Sequence, residues 1–154
     1  VKPSLNPDFR EFIKLLEAKG VRYLVVGGYA VAVHGFPRYT GDIDFFVAID
    51  ERNAAKLLET FEDFGFGDIG IEKRDFLEVK FIVEIGREPR KIQVMTGIDG
   101  VEFTECFENR IELEVDGGMV NFISLEDLLK NKIASGRAKD LIDIAELTRL
   151  HNED

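Results

Sequence analysis

The feature that most restricts this chain is an apolar run that ends on two glycines. Residues 22–26, Arg-Tyr-Leu-Val-Val, read as a buried strand, Gly27-Gly28 ends it, and Tyr29 to His34 read as a short helix. A strand of this kind belongs inside a sheet, with the helix packed on it. The two glycines let the backbone approach a bound group closely, and a helix start presents free N–H groups and a positive dipole end, which suit phosphate. A tight strand-to-helix turn with no ligand fits the same residues.

The remaining pattern interleaves helices and strands. Residues 8–19 place Phe9, Phe12, Ile13, Leu15 and Leu16 at helical spacing, with Asn6 or Asp8 near the start and Gly20 as the stop. Gly35 to Gly41 is a loop, 42–47 a second strand, and 51–64 a helix with Ala54, Leu57, Leu58, Phe61 and Phe64 on one face. Residues 76–85 alternate, which predicts a strand with Leu77, Val79, Phe81, Val83 and Ile85 on one side and Glu78, Lys80 and Glu84 on the other. Gly86 to Pro89 turns the chain into a short strand over 91–95. Residues 111–115 and 119–123 form a predicted hairpin around Asp116-Gly117-Gly118. Ser124, with Asp127 three residues on, opens a helix, and a second helix follows Gly136. The expectation is an α+β fold, a mixed β-sheet with helices packed on it and helices at the C-terminal end. At 154 residues, with no repeat or linker, residues 1–154 are expected to form one domain.

Asp42-Ile43-Asp44 carries the candidate chemistry. Residues two apart on a strand project from the same face, so two carboxylates can converge on one or two Mg²⁺ ions, which favour hard oxygen ligands. Ile43, Phe45 and Val47 then enter the core from the opposite face. The motif alone says little: with 30 acidic residues in the chain, acid-x-acid arises by chance on the order of six times. Its meaning comes from its neighbours, Gly27-Gly28 before it and Arg38-Tyr39-Thr40 just ahead. Arg38 suits a phosphate contact and Thr40 a hydrogen bond nearby.

Taken together, Val26-Gly27-Gly28-Tyr29-Ala30-Val31-Ala32-Val33-His34-Gly35 and Arg38-x-Thr40-x-Asp42-x-Asp44 resemble the nucleotidyltransferase superfamily with the DNA polymerase β-type catalytic fold. Within it they resemble the small branch that includes AbiEii-like toxins and minimal nucleotidyltransferases. Leu128-Leu129-x-x-Lys132 and Gly136-Arg137-x-Lys139-Asp140-Leu141-x-Asp143 resemble that branch's C-terminal helices. The resemblance implies that Gly27 and Gly28 hold the triphosphate of a nucleoside triphosphate, and that Asp42 and Asp44 bind Mg²⁺, with Mn²⁺ as an alternative. Arg38, Thr40, Lys132, Arg137 and Lys139 become nucleotide-binding candidates, with Asp140 and Asp143 orienting the basic residues. Many members carry serine where this chain has Gly28.

The chain departs from the family at the third catalytic carboxylate. The matching strand is Lys91-Ile92-Gln93-Val94-Met95, which turns Gln93 toward the site. A glutamine oxygen can ligate Mg²⁺ weakly but has no carboxylate to act as a base. Glu78, Glu84 and Asp99 are alternative sources of a third carboxylate. Two readings therefore stand. One is an enzyme that transfers a nucleoside monophosphate to an acceptor hydroxyl on a protein, an RNA end or a small molecule. The other is an impaired nucleotide-binding or regulatory module with a partner protein, as in a toxin–antitoxin pair. A structural remnant is the plainest alternative. The net charge of −10 disfavours a long nucleic acid. No apolar run reaches membrane-spanning length, so no membrane is expected, and the single cysteine, Cys106, is expected of a cytoplasmic chain.

Overall fold

The computed structural model describes residues 5–38 and 40–152. Tyr39, within the Arg38-Tyr39-Thr40 run, lies outside them. The elements are α1 (Pro7–Ala18), β1 (Tyr23–Val26), α2 (Gly27–Val33), β2 (Ile43–Val47), α3 (Glu51–Asp63), a 3₁₀ turn (Lys73–Leu77), β3 (Ile82–Arg87), β4 (Arg90–Met95), α4 (Phe103–Glu108), β5 (Ile111–Val115), β6 (Gly118–Phe122), α5 (Leu125–Ser135) and α6 (Ala138–Asn152). The strands form one mixed sheet in the order β3-β4-β2-β1-β6-β5. β2 runs antiparallel to β1 and parallel to β4, β1 runs parallel to β6, and β3–β4 and β5–β6 are antiparallel hairpins. This is the α+β architecture the sequence leads one to expect.

Burial explains the centre of the sheet. All four residues of β1 are buried, and Ile43, Phe45, Phe46 and Val47 of β2 join them. Phe45 packs on Phe12 of α1, whereas Phe46 packs on Phe103 of α4. Alternate β2 residues therefore face opposite sides of the sheet, and Asp44 shares the α4 side with Phe46. Phe12 also meets Phe61 of α3 and Phe64 just beyond it, which fixes α1 and α3 against one face. The helix ends are closed locally. Asn6 Oδ1 accepts from Phe9 N, Ser124 Oγ accepts from Asp127 N, and Gly136 ends α5 in the left-handed region.

Residues 76–85 are not one strand. The 3₁₀ turn takes Phe76 into the core, stacked on Phe61 and edge-on to Phe81, while Val79 is 77% exposed. Asp75 closes that turn by accepting from Glu72 N, and Lys80 has φ +64, which no strand residue adopts. Thr96 Oγ1 accepts from Phe81 N and donates to Glu78 O, so β3 begins only at Ile82. Local turn chemistry and an aromatic anchor override the alternation. Two further differences are smaller. α2 begins at the glycine pair itself, and Phe103–Glu108 forms a short helix where none was expected, with Phe103 and Phe107 stacked on each other. Among the described residues no helix is long and apolar enough to cross a membrane.

Candidate active site

One cleft of about 440 Å³ is lined by Gly27, Gly28, Arg38, Thr40, Asp42, Asp44, Gln93, Lys132, Arg137 and Lys139, together with Gly41, Glu88 and Pro89. Every candidate site residue thus meets in one place. They arrive from the β1–α2 junction, the loop before β2, β2, β4, α5 and the start of α6. Gly41, Glu88 and Pro89 were not singled out in the sequence, and the Glu-Pro turn offers only a turn signal.

The glycine pair is shaped by what stands against it. Gly27 has φ +66, and a Cβ there would collide with Asp44 Oδ2 and lie 3.2 Å from its Cγ. A Cβ at Gly28 would lie 2.5 Å from Thr40 Oγ1 and 2.8 Å from Thr40 Cβ. A serine at position 28 therefore has no room while Thr40 keeps its place. The hydroxyl at this corner comes from Thr40, whose Oγ1 donates to the Asp42 carbonyl at 3.2 Å.

The two carboxylates are held differently. Asp42 Oδ1 accepts from the backbone N–H of Lys91 at 2.9 Å. Asp44 Oδ1 is buried and has no hydrogen-bond partner. Burial, followed by the charge of Asp42, pushes the Asp44 carboxyl up to about 6, against a weaker pull from Lys139, Arg137 and Lys132. A buried carboxylate oxygen without a donor, beside a second carboxylate, is a fitting place for a hard divalent cation.

The basic side chains fall into two groups. Lys132 is buried and bridges Asp140 and Asp143 at 3.0 Å each. Arg38 reaches Asp143 through two parallel hydrogen bonds of 2.9 Å, and Arg137 reaches Asp140 at 2.9 Å. Burial pushes the Asp140 carboxyl up, but hydrogen bonds from Arg137 and Lys132 outweigh it and hold the group well below the usual carboxylate range. Lys139 is exposed, with no carboxylate partner among the described residues. The Asp140/Asp143 pair thus spreads three cations along one wall of the cleft.

The third-carboxylate place holds Gln93, the β4 partner of Asp44. Among the described residues, no three His, Cys, Asp or Glu side chains converge as a metal-binding group. Of the alternatives from sequence, Glu84 hydrogen-bonds Gln93, Asp99 lines an adjoining pocket that shares Gly27, Asp44, Gln93, Lys132 and Arg137 with the cleft, and Glu78 lines neither. His34 is away from the chemistry, capping α2 with its Nε2 2.8 Å from the Ile123 carbonyl.

A mixed sheet of this order, with paired carboxylates opposite a glycine turn, defines a nucleotidyltransferase-type fold. The chain belongs to the family described as nucleotidyltransferase of unknown function, DUF6036, which it matches over residues 8–153. It is similar in structure to a Thermotoga maritima protein assigned to the nucleotidyltransferases, at 19% identity and a TM-score of 0.63, covering 97% of this chain and 96% of that one. It is also similar to the lincosamide antibiotic adenylyltransferase LnuA in its lincomycin-bound form, at 19% identity and a TM-score of 0.61, covering 94% and 97%. At such identity these structures share the fold. No curated protein matches the sequence.

Proposed function

We propose that this protein transfers a nucleoside monophosphate from a nucleoside triphosphate to an acceptor hydroxyl, with Mg²⁺ or Mn²⁺ held by Asp42 and Asp44. The observation that carries this reading is the buried, donor-free Asp44 Oδ1 beside Asp42, in a cleft whose far wall is basic. When bound, the cation supplies charge neutralisation and a template for in-line displacement at phosphorus. Asp44 and Asp42 present their free oxygens to it. Lys139 and the braced Arg38, Lys132 and Arg137 would supply positive charge for the phosphates, and Gly27 and Gly28 would leave room for the triphosphate at the end of β1. In the reaction the acceptor oxygen bonds to the α-phosphorus, the bond to the bridging oxygen breaks, and pyrophosphate leaves. Gln93 has no ionisable group to take the hydroxyl proton, which departs to solvent or to the leaving group.

A small molecule is the acceptor class that best suits this chain. The net charge of −10 repels a nucleic-acid backbone, and about 440 Å³ is the size of a small-ligand site. The structurally similar LnuA is an adenylyltransferase of a small antibiotic.

The test is transfer of label from α-³²P nucleoside triphosphates in Mg²⁺ or Mn²⁺ to a panel of hydroxyl compounds, proteins and RNA. The Asp42→Asn/Asp44→Asn double variant and Gln93→Asp run alongside. Transfer by the natural protein that vanishes in the double variant supports the enzyme. Activity confined to Gln93→Asp would instead identify an impaired, regulatory module.

A further inference from the structure

Three side chains form a row across the site's face of the sheet. Asp44 of β2 is the register partner of Gln93 of β4, and Gln93 is the register partner of Glu84 of β3. Gln93 Nε2 donates to Glu84 Oε1 at 2.6 Å. A carboxylate only accepts, so the group facing Glu84 must be the amide nitrogen. The amide oxygen Oε1 is then left out of that bond, on a side chain that lines the same cleft as Asp44. Glu84 Oε2 also accepts from Lys91 Nζ at 3.4 Å, an ammonium that Glu88 shares at 3.0 Å. Lys91 also donates its backbone N–H to Asp42 Oδ1. One residue thus ties Glu84 and Asp42 together on either side of Gln93.

We propose that Glu84 is a positioning residue that locks Gln93 as a third oxygen ligand for the cation held by Asp42 and Asp44. This rests on the proposed function above. Adjacent strands lie roughly 4.8 Å apart, so Glu84, two strands from Asp44, is too distant to join it directly. It acts through the amide. A charged acceptor on Nε2 draws amide electron density toward Oε1, which makes that oxygen a better ligand. Carboxylates behind metal ligands commonly orient and tune them in this way. Gln93 and Glu84 together carry the one negative charge that a third aspartate would carry, displaced outward by one strand.

Gln93 is the only glutamine in the chain. Labelling glutamine side chains with ¹⁵N therefore gives a single pair of amide signals in the NMR spectrum of the natural chain and of Glu84→Ala, while Glu84→Gln, which adds a second glutamine, is read by calorimetry alone. Mg²⁺ is titrated into the natural chain, Glu84→Ala and Glu84→Gln, with circular dichroism to establish folding and calorimetry to read binding. The Glu84 side chain is 45% exposed, so its removal leaves no cavity. In the natural protein one Nε2 proton is expected downfield before Mg²⁺ is added, and the pair is expected to move as Mg²⁺ binds. In Glu84→Ala the pair should revert to a solvent-exposed position, and Mg²⁺ affinity should fall about tenfold. Glu84→Gln, which keeps an acceptor but no charge, should fall between. If Mg²⁺ binds in a manner that Asp42→Asn/Asp44→Asn abolishes, yet the Gln93 pair stays still or Glu84→Ala binds as tightly as the natural chain, the positioning role is overturned alone. If the natural chain binds no Mg²⁺, the cation reading falls with it.

Discussion

The carboxylate of Asp44 fills the space that a side chain at Gly27 would need. β1 ends at Val26, the register partner of Asp44, and the next residue turns with φ +66 directly over the carboxylate. Backbone conformation and close approach thus both demand glycine at this position.

Gly27→Ala should therefore fail on both counts. The left-handed conformation alone costs about 1 kcal/mol or more, and Asp44 must also move from its place. Urea unfolding should show a loss of about 1–3 kcal/mol, and Mn²⁺ binding followed by electron paramagnetic resonance should weaken sharply.

Gly28→Ser, although serine is common at this place in related proteins, should destabilise the chain by about 1–3 kcal/mol through overpacking against Thr40. Adding Thr40→Gly to the same chain should recover most of that loss, because both close contacts belong to Thr40. Strict additivity of the two changes in thermal unfolding would contradict the steric coupling.

Asp44 should cost stability when no metal is present. Its folded pKa of about 6 lies above the ordinary 3.8. Its favourable contribution is therefore complete below pH 3.8 and disappears as pH rises through about 6. In EDTA at pH 7, Asp44→Asn should be more stable than the natural chain by on the order of 2 kcal/mol. That advantage should shrink toward pH 4, and Mg²⁺ should stabilise only the natural chain.

Lys132 should be a structural keystone as well as part of the cleft. Lys132→Met leaves Asp140 and Asp143 buried without the ammonium they share, Asp143 with Arg38 and Asp140 with Arg137 and Ser135. Breaking such a buried pair costs about 3–5 kcal/mol. Asp140, held below the ordinary carboxylate range, contributes stability that is present above pH 3.8 and lost as pH falls further. Asp140→Asn should accordingly flatten the acid limb of the stability profile, as read by denaturation at pH 2–5.

Local signals were the legible part of this fold. The strand into Gly27-Gly28, the Asp42-x-Asp44 spacing and the hairpin at Asp116-Gly117-Gly118 each sit within a few residues. The stretch 76–85 misleads because its alternation is real while Phe76 is claimed by a 3₁₀ turn and Lys80 by a left-handed one. The electrostatics of the cleft lie further out of reach. Arg38 meets Asp143 across 105 residues of sequence, and nothing local marks the pair. Gln93 reads as a missing carboxylate until β3 brings Glu84 against it, a register that the misread strand start conceals.

The most direct test of the cleft as a metal-dependent nucleotide site is calorimetric titration of a non-hydrolysable ATP analogue. The natural chain is compared with Asp42→Asn/Asp44→Asn, each with Mg²⁺ and with EDTA. Binding by the natural chain that requires Mg²⁺ and weakens at least tenfold in the double variant is the expected result. Equal affinity in the two chains, or binding indifferent to EDTA, would contradict the assignment of Asp42 and Asp44.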